Sequence, residues 1–596
     1  MRYVVATAGH VDHGKSTLVK ALTGIEPDRW AEERRRGLTI DLGFAWTTLS
    51  SGADVAFVDV PGHERFIANM LAGLGPAPIV LFVIAADEGW RAQSADHRDA
   101  LAALGIDRGI VVISRADRAS TARVDEVIAT VRTELADTGL AGAPTVVTSA
   151  VTGQGIDELR TTLDEVLATT PEPVTTGRVR LWLDRAFSIT GAGTVVTGTL
   201  SAGTISAGDT LELVGDHRAR TITVRGVQSE NVTYPTVGPV SRVAVNTRGV
   251  STDDIARGDA LVTPDAWHTS SVIDIRRVSG ISFDEVPEHL TAHVGTAAVP
   301  ARLRPLGPDH ARLTLDRKLP LSLDDRVVLR DPGRRILGGG QIVDPEPPAL
   351  RRRGDAARRS ALLDAREDGD VAAEVARRGA TTVAHLRRLG LIDGASATPP
   401  GVVVTGDWWI DETACTAWAK QLRDAVAAAH ARDPLSAGLS VAAVADLLAL
   451  PDPALVPTIV AATDVTAADG YLTLPGHRAG LGSAEDAVAA LERQLTDHPF
   501  RAPESDDLGA LGLGTKELAA AERQRRLLRL HDGIVLLPTA PALAMRTLAT
   551  LEQPFTTSAA RQALGTTRRV VIPLLEHLDD RGWTRRLDAG HREVVR

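Results

Sequence analysis

At 596 residues the chain is too long for one core, and ~100–200 residues per domain gives roughly three to six domains. A hydrophobic fraction of 44% with 24% charged residues excludes a disordered or fibrous chain, and a formal net charge of -10 confines any basic surface to a local patch. One cysteine, Cys415, no basic-then-apolar opening and no apolar run near the ~20 residues of a membrane span lead to the expectation of a cytoplasmic chain without disulfides or membrane segments.

In chain order, YVVATAG, VAFVDV, IVLFVIA, GIVVIS and PTVVTSA read as strands, with helical patterns between most of them. Residues 1–172 are therefore expected to form a doubly wound α/β domain. TTPEPVTTG reads as a linker. The pattern then turns all-β, with alternation and spaced glycines in RVRLWLDRAFSITGAGTVVTGTL, and two small barrels are expected over 173–266 and 267–346. From Pro347 the chain is mostly helical. Short β-like segments recur in it: GVVVTGDWWI, GYLTLPGH, GIVLLP and GWTRRLDAGHREVV. Their spacing suits small helical domains that each close on a β-ribbon, over 347–411, 412–478, 479–540 and 541–596; one irregular helical domain is the alternative.

GHVDHGKS, between the strand YVVATA and the helical STLVKALTG, matches G-x-x-x-x-G-K-[ST] in the context the motif requires. Gly9, His10, Val11, Asp12, His13 and Gly14 would wrap phosphates with backbone N–H groups, and Ser16 and Thr17 begin the helix that follows. Lys15 supplies a point charge for the β/γ-phosphates, and the Ser16 hydroxyl suits Mg²⁺. In VDVPGHERF, Asp59 suits the same ion, Gly62 can sense the γ-phosphate and His63 can orient the attacking water. Thr39, in RRRGLTIDLGF, can complete Mg²⁺ coordination in the triphosphate state.

Base choice is less regular. ISRAD places Ser114, Arg115 and Asp117 where Asn-Lys-x-Asp is usual for guanine. Asp117 can accept from the Watson–Crick edge and the Arg115 stem can cover the base, whereas Ser114 lacks the asparagine amide. In TSA, the backbone at Ser149 and Ala150 can face the guanine carbonyl. GTP and GDP are the expected nucleotides.

These motifs resemble those of translational GTPases. TGIEPDRWAEERRRGLTIDLGFAW, serine in the guanine motif, LDRAFSITGAGTVVTGTL and VLRDPGRRILGGG resemble the selenocysteine-specific elongation factors, the SelB family. LGTTRRVVIPLLEHLDDRGWTRRL is similar to that family's last winged-helix domain. The resemblance covers about 1–345 and 540–596, and rests on architecture between them. It implies a multidomain protein: an α/β P-loop GTPase domain, two β-barrel domains, and a mainly α C-terminal array of winged-helix domains. It implies selenocysteinyl-tRNA, the ribosome and an mRNA hairpin as partners of a monomer. It also implies a selenocysteine pocket at Asp184, Arg185 and Arg242.

The end of the chain carries the implied hairpin reader. TTSAARQAL reads as a first helix, and TRRVVIPLLEHLDDRG as a second with Val570, Leu574 and Leu578 inward and a kink expected at Pro573. WTRRLDAGHREVV reads as a wing. Residues 541–596 hold nine arginines against six acidic residues. Arg561, Arg568 and Arg569 at the turn, and Arg585 and Arg586 in the wing, are the candidate RNA contacts. Two alternatives stay open at this point: another translational-type GTPase, such as an initiation factor or a sulfate-activation subunit, or an RNA-binding adaptor with a structural nucleotide domain.

Overall fold

The computed structural model describes residues 2–27, 39, 41–75, 77–171, 174–191, 193–215, 220–333, 335–394, 396–432, 438–468, 470–475 and 481–595. Most of the segment before Thr39 that carries the family resemblance, at 28–38, lies outside the described residues. The chain divides into two compact units, one of Met1–Arg377 with Thr381–Pro400 and one of Arg378–Ala380 with Gly401–Arg596.

The first unit opens with a six-stranded sheet. Its strands are β1 (Arg2–Ala8), β2 (Gly43–Thr48), β3 (Asp54–Asp59), β4 (Ile79–Ala85), β5 (Gly109–Ser114) and β6 (Thr145–Val147). The order is β2-β3-β1-β4-β5-β6, parallel except for β2 against β3. The edge strand β2 is absent from the strands read off the sequence. Its pattern GFAWTT follows directly on the polar loop segment, and only antiparallel pairing with β3 makes it a strand. Every residue of β4 is buried, as expected of a strand covered on both faces. Helices α1 (Lys15–Thr23) and α5 (Ile156–Ala168) cover one face through Leu18, Leu22, Leu159 and Leu163. Helices α2 (Ile67–Leu74), α3 (Ala92–Leu104) and α4 (Thr121–Leu135) cover the other through Met70, Leu101 and Val131. β1 lies between β3 and β4, so the chain order reverses across its carboxyl end. That is the crevice where open α/β sheets take ligands.

Two closed barrels follow. In the first, β7 (Arg180–Ile189) and β8 (Gly193–Leu200) pair with each other. Strand Thr210–Val214 closes the ring by bonding both Ala260–Val262 and Arg220–Ser229. The second barrel runs His268–Gly280, His310–Leu321, Ala297–Pro305, His289–Val294, Arg326–Arg330 and Ile336–Asp344 around a core that includes Phe283, Leu313 and Leu329. A buried ion cluster fastens the helix Asp355–Asp364 to this barrel. Asp274 accepts from Arg312 at 2.7 Å and from Arg359 at 2.8 Å, and Arg359 also reaches Asp344. Asp274 is wholly buried, so removing either arginine leaves its charge with a single cationic partner.

In the second unit a pattern of three helices and a hairpin recurs. It runs Glu412–Arg432, Val441–Leu447 and Val456–Ala461 with Thr466–Ala468 and Tyr471–Thr473. It returns as Glu485–Asp497, Ser505–Ala510 and Thr515–Arg523 with Leu528–Arg529 and Val535–Leu536. The last set is Ala540–Leu548, Thr557–Ala563 and Arg568–Asp580 with Thr584–Arg586 and His591–Val594. The last helix runs from Arg568 to Asp580 across Pro573 without a break, and Val570, Leu574 and Leu578 are buried. The final two sets share one core, from Leu491 and Leu495 through Leu548 to Leu574 and Leu578. No helix among the described residues is long and apolar enough to cross a membrane.

Candidate functional site

The turn Gly9–Ser16 joins β1 to α1 at the sheet's crevice. Two of its positions require glycine. Gly9 has φ 130°, and a Cβ there would meet the Val83 carbonyl oxygen at 2.1 Å; Gly14 has φ 79°. Lys15 donates to the carbonyls of Gly9 at 3.0 Å and His10 at 2.8 Å, which folds its ammonium over the mouth of the loop. Helix α1 carries no acidic residue in its first turn, so its positive end is left for an anion.

Three oxygens from three distant segments meet at the start of α1. The Ser16 hydroxyl donates to Asp59 Oδ2 at 2.6 Å and lies 3.1 Å from Thr39 Oγ1. Thr7 donates to the other Asp59 oxygen at 2.7 Å and accepts from the Val60 N–H, which fixes the carboxylate. Asp59 is fully buried and Thr39 nearly so. Two hydroxyls and a carboxylate are hard donors, and they fit Mg²⁺ rather than a softer ion.

Gly62 sits against the loop so closely that a Cβ would lie 2.6 Å from both the Val11 nitrogen and Lys15 Nζ. His63 stands partly exposed at the rim, its Nδ1 accepting from the Arg65 N–H at 3.2 Å. Two residues absent from the sequence reading complete this wall. On α3, His97 Nδ1 accepts from the Gly9 N–H and Gln93 Oε1 from the Val11 N–H, each at 3.1 Å. His97 also hydrogen-bonds the backbone of Gly62. Its pKa lies well below the usual value, first because burial disfavours the imidazolium and then because Lys15 is near. The signal for both was their i, i+4 spacing in QSADH, on the helix that follows the buried strand β4. His13 is likewise buried, against the Val83 carbonyl, and its pKa is pushed down to about 3, mainly by burial.

The other side of the phosphate loop is built by β5 and β6. Ser114 donates to the His13 carbonyl at 2.6 Å, so this shorter side chain still reaches the phosphate loop. Ser149 donates to Asp117 Oδ1 at 2.6 Å and orients its carboxylate. The two loops are joined by the Ala116 N–H to Thr148 O bond at 3.0 Å, which places Ala150 beside Asp117's loop. Arg115, at φ 53°, pairs with Glu88 at 2.9 Å and donates to the Asp12 carbonyl, so its head spans the loop. Thr17 lies on α1, one residue beyond Ser16.

A cavity of about 480 Å³ lies where β2 and β3 face the first barrel. Phe44, Trp46, Phe187, Ile189, Arg185 and Arg242 are among its lining. Arg242 and Asp184 form a two-pronged pair, with Nη2 to Oδ1 at 2.6 Å, and Thr197 donates to the same carboxylate at 2.8 Å. Arg185 takes different partners, the Leu42 carbonyl at 2.7 Å and Asp41 at 2.8 Å. Both guanidiniums lie over the Phe44 ring, Arg242 at 4.1 Å and Arg185 at 5.3 Å from its centroid.

The five C-terminal arginines are not equivalent. Arg568 is exposed and Arg561 half-buried. Arg569 donates to the carbonyls of Pro503 at 3.0 Å and Ala502 at 3.3 Å, within the shared core region. Arg585 pairs with Glu593 across the wing, and Arg586 donates to the Asp588 carbonyl at 3.0 Å. Arg592, missed by the sequence reading, is buried against Asp579 at 2.8 Å and locks the wing to the last helix.

Comparison with known proteins follows the same layout. Residues 2–169 match the elongation factor Tu GTP binding domain and 193–262 match elongation factor Tu domain 2. Residues 286–349 match the beta-barrel domain of selenocysteine-specific elongation factor, and 546–592 match the winged helix of elongation factor SelB. The chain is 32% identical to the selenocysteine-specific elongation factor of Escherichia coli (strain K12) over 99% of its own length and 98% of that protein's. It is 31% identical to that of Desulfomicrobium baculatum over the whole of both. The crystal structure of a bacterial selenocysteine-specific elongation factor, EF-Sec, shares the fold over both whole chains, with a TM-score of 0.77 at 23% identity. SelB from Methanococcus maripaludis, solved with the GTP analogue GppNHp, matches 58% of this chain and 80% of its own, with a TM-score of 0.51 at 27% identity. A nucleotide site of this construction at one end, a SelB winged helix at the other and full-length identity between them lead to one conclusion: the chain belongs to the family of selenocysteine-specific elongation factors, and is a translational GTPase that binds and hydrolyses GTP.

Proposed function

We propose that this GTPase carries selenocysteinyl-tRNA to the ribosome at recoded UGA codons, as a cytoplasmic monomer, while its C-terminal winged helix holds an mRNA hairpin. The observation that carries the reading is the pair Arg185 and Arg242 over Phe44 at an apolar cavity of the first barrel. A selenol is a stronger acid than a thiol, whose pKa is ~8.5, so bound selenocysteine is an anion at neutral pH. Two guanidiniums beside an apolar wall suit that anion and give serine no equivalent gain. Asp184 holds Arg242 in place through its two-pronged pair.

In the hydrolytic site, Lys15 and the loop N–H groups other than those of Gly9 and Val11, which His97 and Gln93 accept, bind the β- and γ-phosphates, and Gly62 approaches closely enough to register the γ-phosphate. Ser16, Thr39 and Asp59 would hold Mg²⁺, which neutralises charge on the phosphates when bound. His63, at the rim, orients the attacking water. Ser149 presents Asp117 to the guanine N–H groups, with the Ala150 backbone toward the guanine carbonyl and Arg115 over the base.

The test is binding of selenocysteinyl-tRNA against seryl-tRNA on the same tRNA body, with GTP present. The reading expects preference for the selenocysteinyl form, and expects Arg242→Met to shrink that preference. A loss equal for both tRNAs would make Arg242 a general tRNA contact.

A further inference from the structure

The hydrogen bonds of Arg185 lead out of the barrel and into the nucleotide domain. Its Nη2 meets the Leu42 carbonyl at 2.7 Å and the Asp41 carboxylate at 2.8 Å. Asp41 is two residues beyond Thr39, whose hydroxyl lies 3.1 Å from that of Ser16 at the phosphate loop. Phe44, three residues beyond Asp41, begins the wall over which both pocket arginines lie. One short segment thus touches the nucleotide site at its first residue, the pocket arginine at its third and fourth, and the cavity wall at its sixth. Asp41 follows Thr39 by two residues, a reach of at most ~7 Å, so a change at Thr39 leaves Asp41 little room to stay still.

We propose that Asp41 couples the bound nucleotide to the selenocysteine pocket: with Thr39 drawn to Ser16, the Asp41 carboxylate holds Arg185 at the cavity, and when Thr39 is released Arg185 is released with it. The inference rests on the reading of Arg185 as a selenolate contact. Asp41 is a positioning residue in this scheme, acting on substrate through Arg185. Its ion pair is partly solvent-exposed on both sides, 24% for Arg185 and 31% for Asp41, so its effect is graded. Arg257 makes a separate contact between the barrel and α2, to Asn69 and the Ala68 carbonyl, so some coupling survives without Asp41.

The experiment measures the affinities of selenocysteinyl-tRNA and seryl-tRNA for the full-length protein with GTP analogue and with GDP. The probes are the unaltered chain, Asp41→Ala, Asp41→Glu and Arg185→Met. Asp41→Ala is expected to reduce the GTP-to-GDP affinity ratio for selenocysteinyl-tRNA by about threefold to tenfold, the scale of one partly buried charge-assisted contact. The same ratio for seryl-tRNA stays within twofold, about the noise of such a comparison. Asp41→Glu restores part of the loss, and adding Arg185→Met to Asp41→Ala removes only the smaller remainder carried by the Leu42 carbonyl. An unchanged ratio in Asp41→Ala, or an equal fall for both tRNAs, overturns the coupling role. Equal binding of the two tRNAs by the unaltered protein overturns the pocket reading itself, and this inference with it.

Discussion

The Ser114 hydroxyl donates to the His13 carbonyl across 2.6 Å, stitching the end of β5 to the phosphate loop although the two residues lie 101 positions apart. Asparagine is usual at this place in related sites, and here a bridge is made by a side chain one atom shorter. Replacing Ser114 by alanine removes a buried hydrogen bond worth about 0.5–1.5 kcal/mol. GTP and GDP affinity should both fall, by about twofold to tenfold, in titrations with a fluorescent guanine nucleotide. Equal affinities would mean that the loop keeps its place without the bond.

In the proposed function Asp117 selects the base, held by Ser149 at 2.6 Å. Asp117→Asn exchanges an acceptor for a donor against one guanine N–H. Competition binding should show weaker GTP and stronger xanthosine triphosphate. An unaltered order of preference would take Asp117 out of the site.

His63 stands at the rim and takes no part in the closed Ser16–Thr39–Asp59 cluster. His63→Ala should therefore leave the GTP dissociation constant nearly intact and slow ribosome-stimulated turnover by about a hundredfold or more, the scale of a lost water-positioning group. Single-turnover hydrolysis with ribosomes, set beside nucleotide titration, separates the two quantities.

Acid should loosen the nucleotide domain through its buried histidines. His13 has its pKa pushed down to about 3 and His97 lies well below the usual 6.5, both chiefly through burial. Unfolded, each would take a proton below about 6.5; folded, each stays neutral. The unfolded state then binds more protons, so stability is full above that pH and declines as pH falls toward 3. His97→Gln, which keeps a polar group toward Gly9, should flatten that decline between about pH 6.5 and pH 5 by up to ~1.4 kcal/mol per pH unit. Hydrogen exchange at β1 and β4 in urea reads it, and a slope identical to that of the unaltered protein would rule out His97 as a source.

At the far end, Arg561 and Arg568 are the residues to neutralise. Arg569 is bonded to the carbonyls of Ala502 and Pro503, and Arg585 to Glu593, so changing either alters structure as well as charge. Deletion of 541–596 would open the core shared with Leu491 and Leu495, so point changes are the cleaner probe. Arg561→Gln and Arg568→Gln should each weaken binding of a selenocysteine-insertion hairpin and lower its salt slope by roughly 0.7–0.9 per lost phosphate contact. Full-strength binding by the double variant would move the hairpin site to another helical set.

The sequence by itself determined the parts whose chemistry is written in consecutive residues. GHVDHGKS names a phosphate loop because the groups that wrap a phosphate are neighbours along the backbone, and VDVPGH does the same for its wall. The strand run IVLFVIA declares its burial on both faces by composition alone. The final helix declares its inner face through Val570, Leu574 and Leu578. Only the tertiary structure decided which of two arginines in one barrel pairs with Asp184 and which with Asp41, since a register shift at Asp184 interrupts the alternation of β7 and the partners come from elsewhere in the chain. It likewise brought Gln93 and His97 behind the phosphate loop, recruited β2 to the sheet edge, and merged the last two helical sets into one core. The physical reason is the same in each case. A hydrogen bond or an apolar contact depends on distance in space, and once the chain has turned, spacing along it no longer reports that distance.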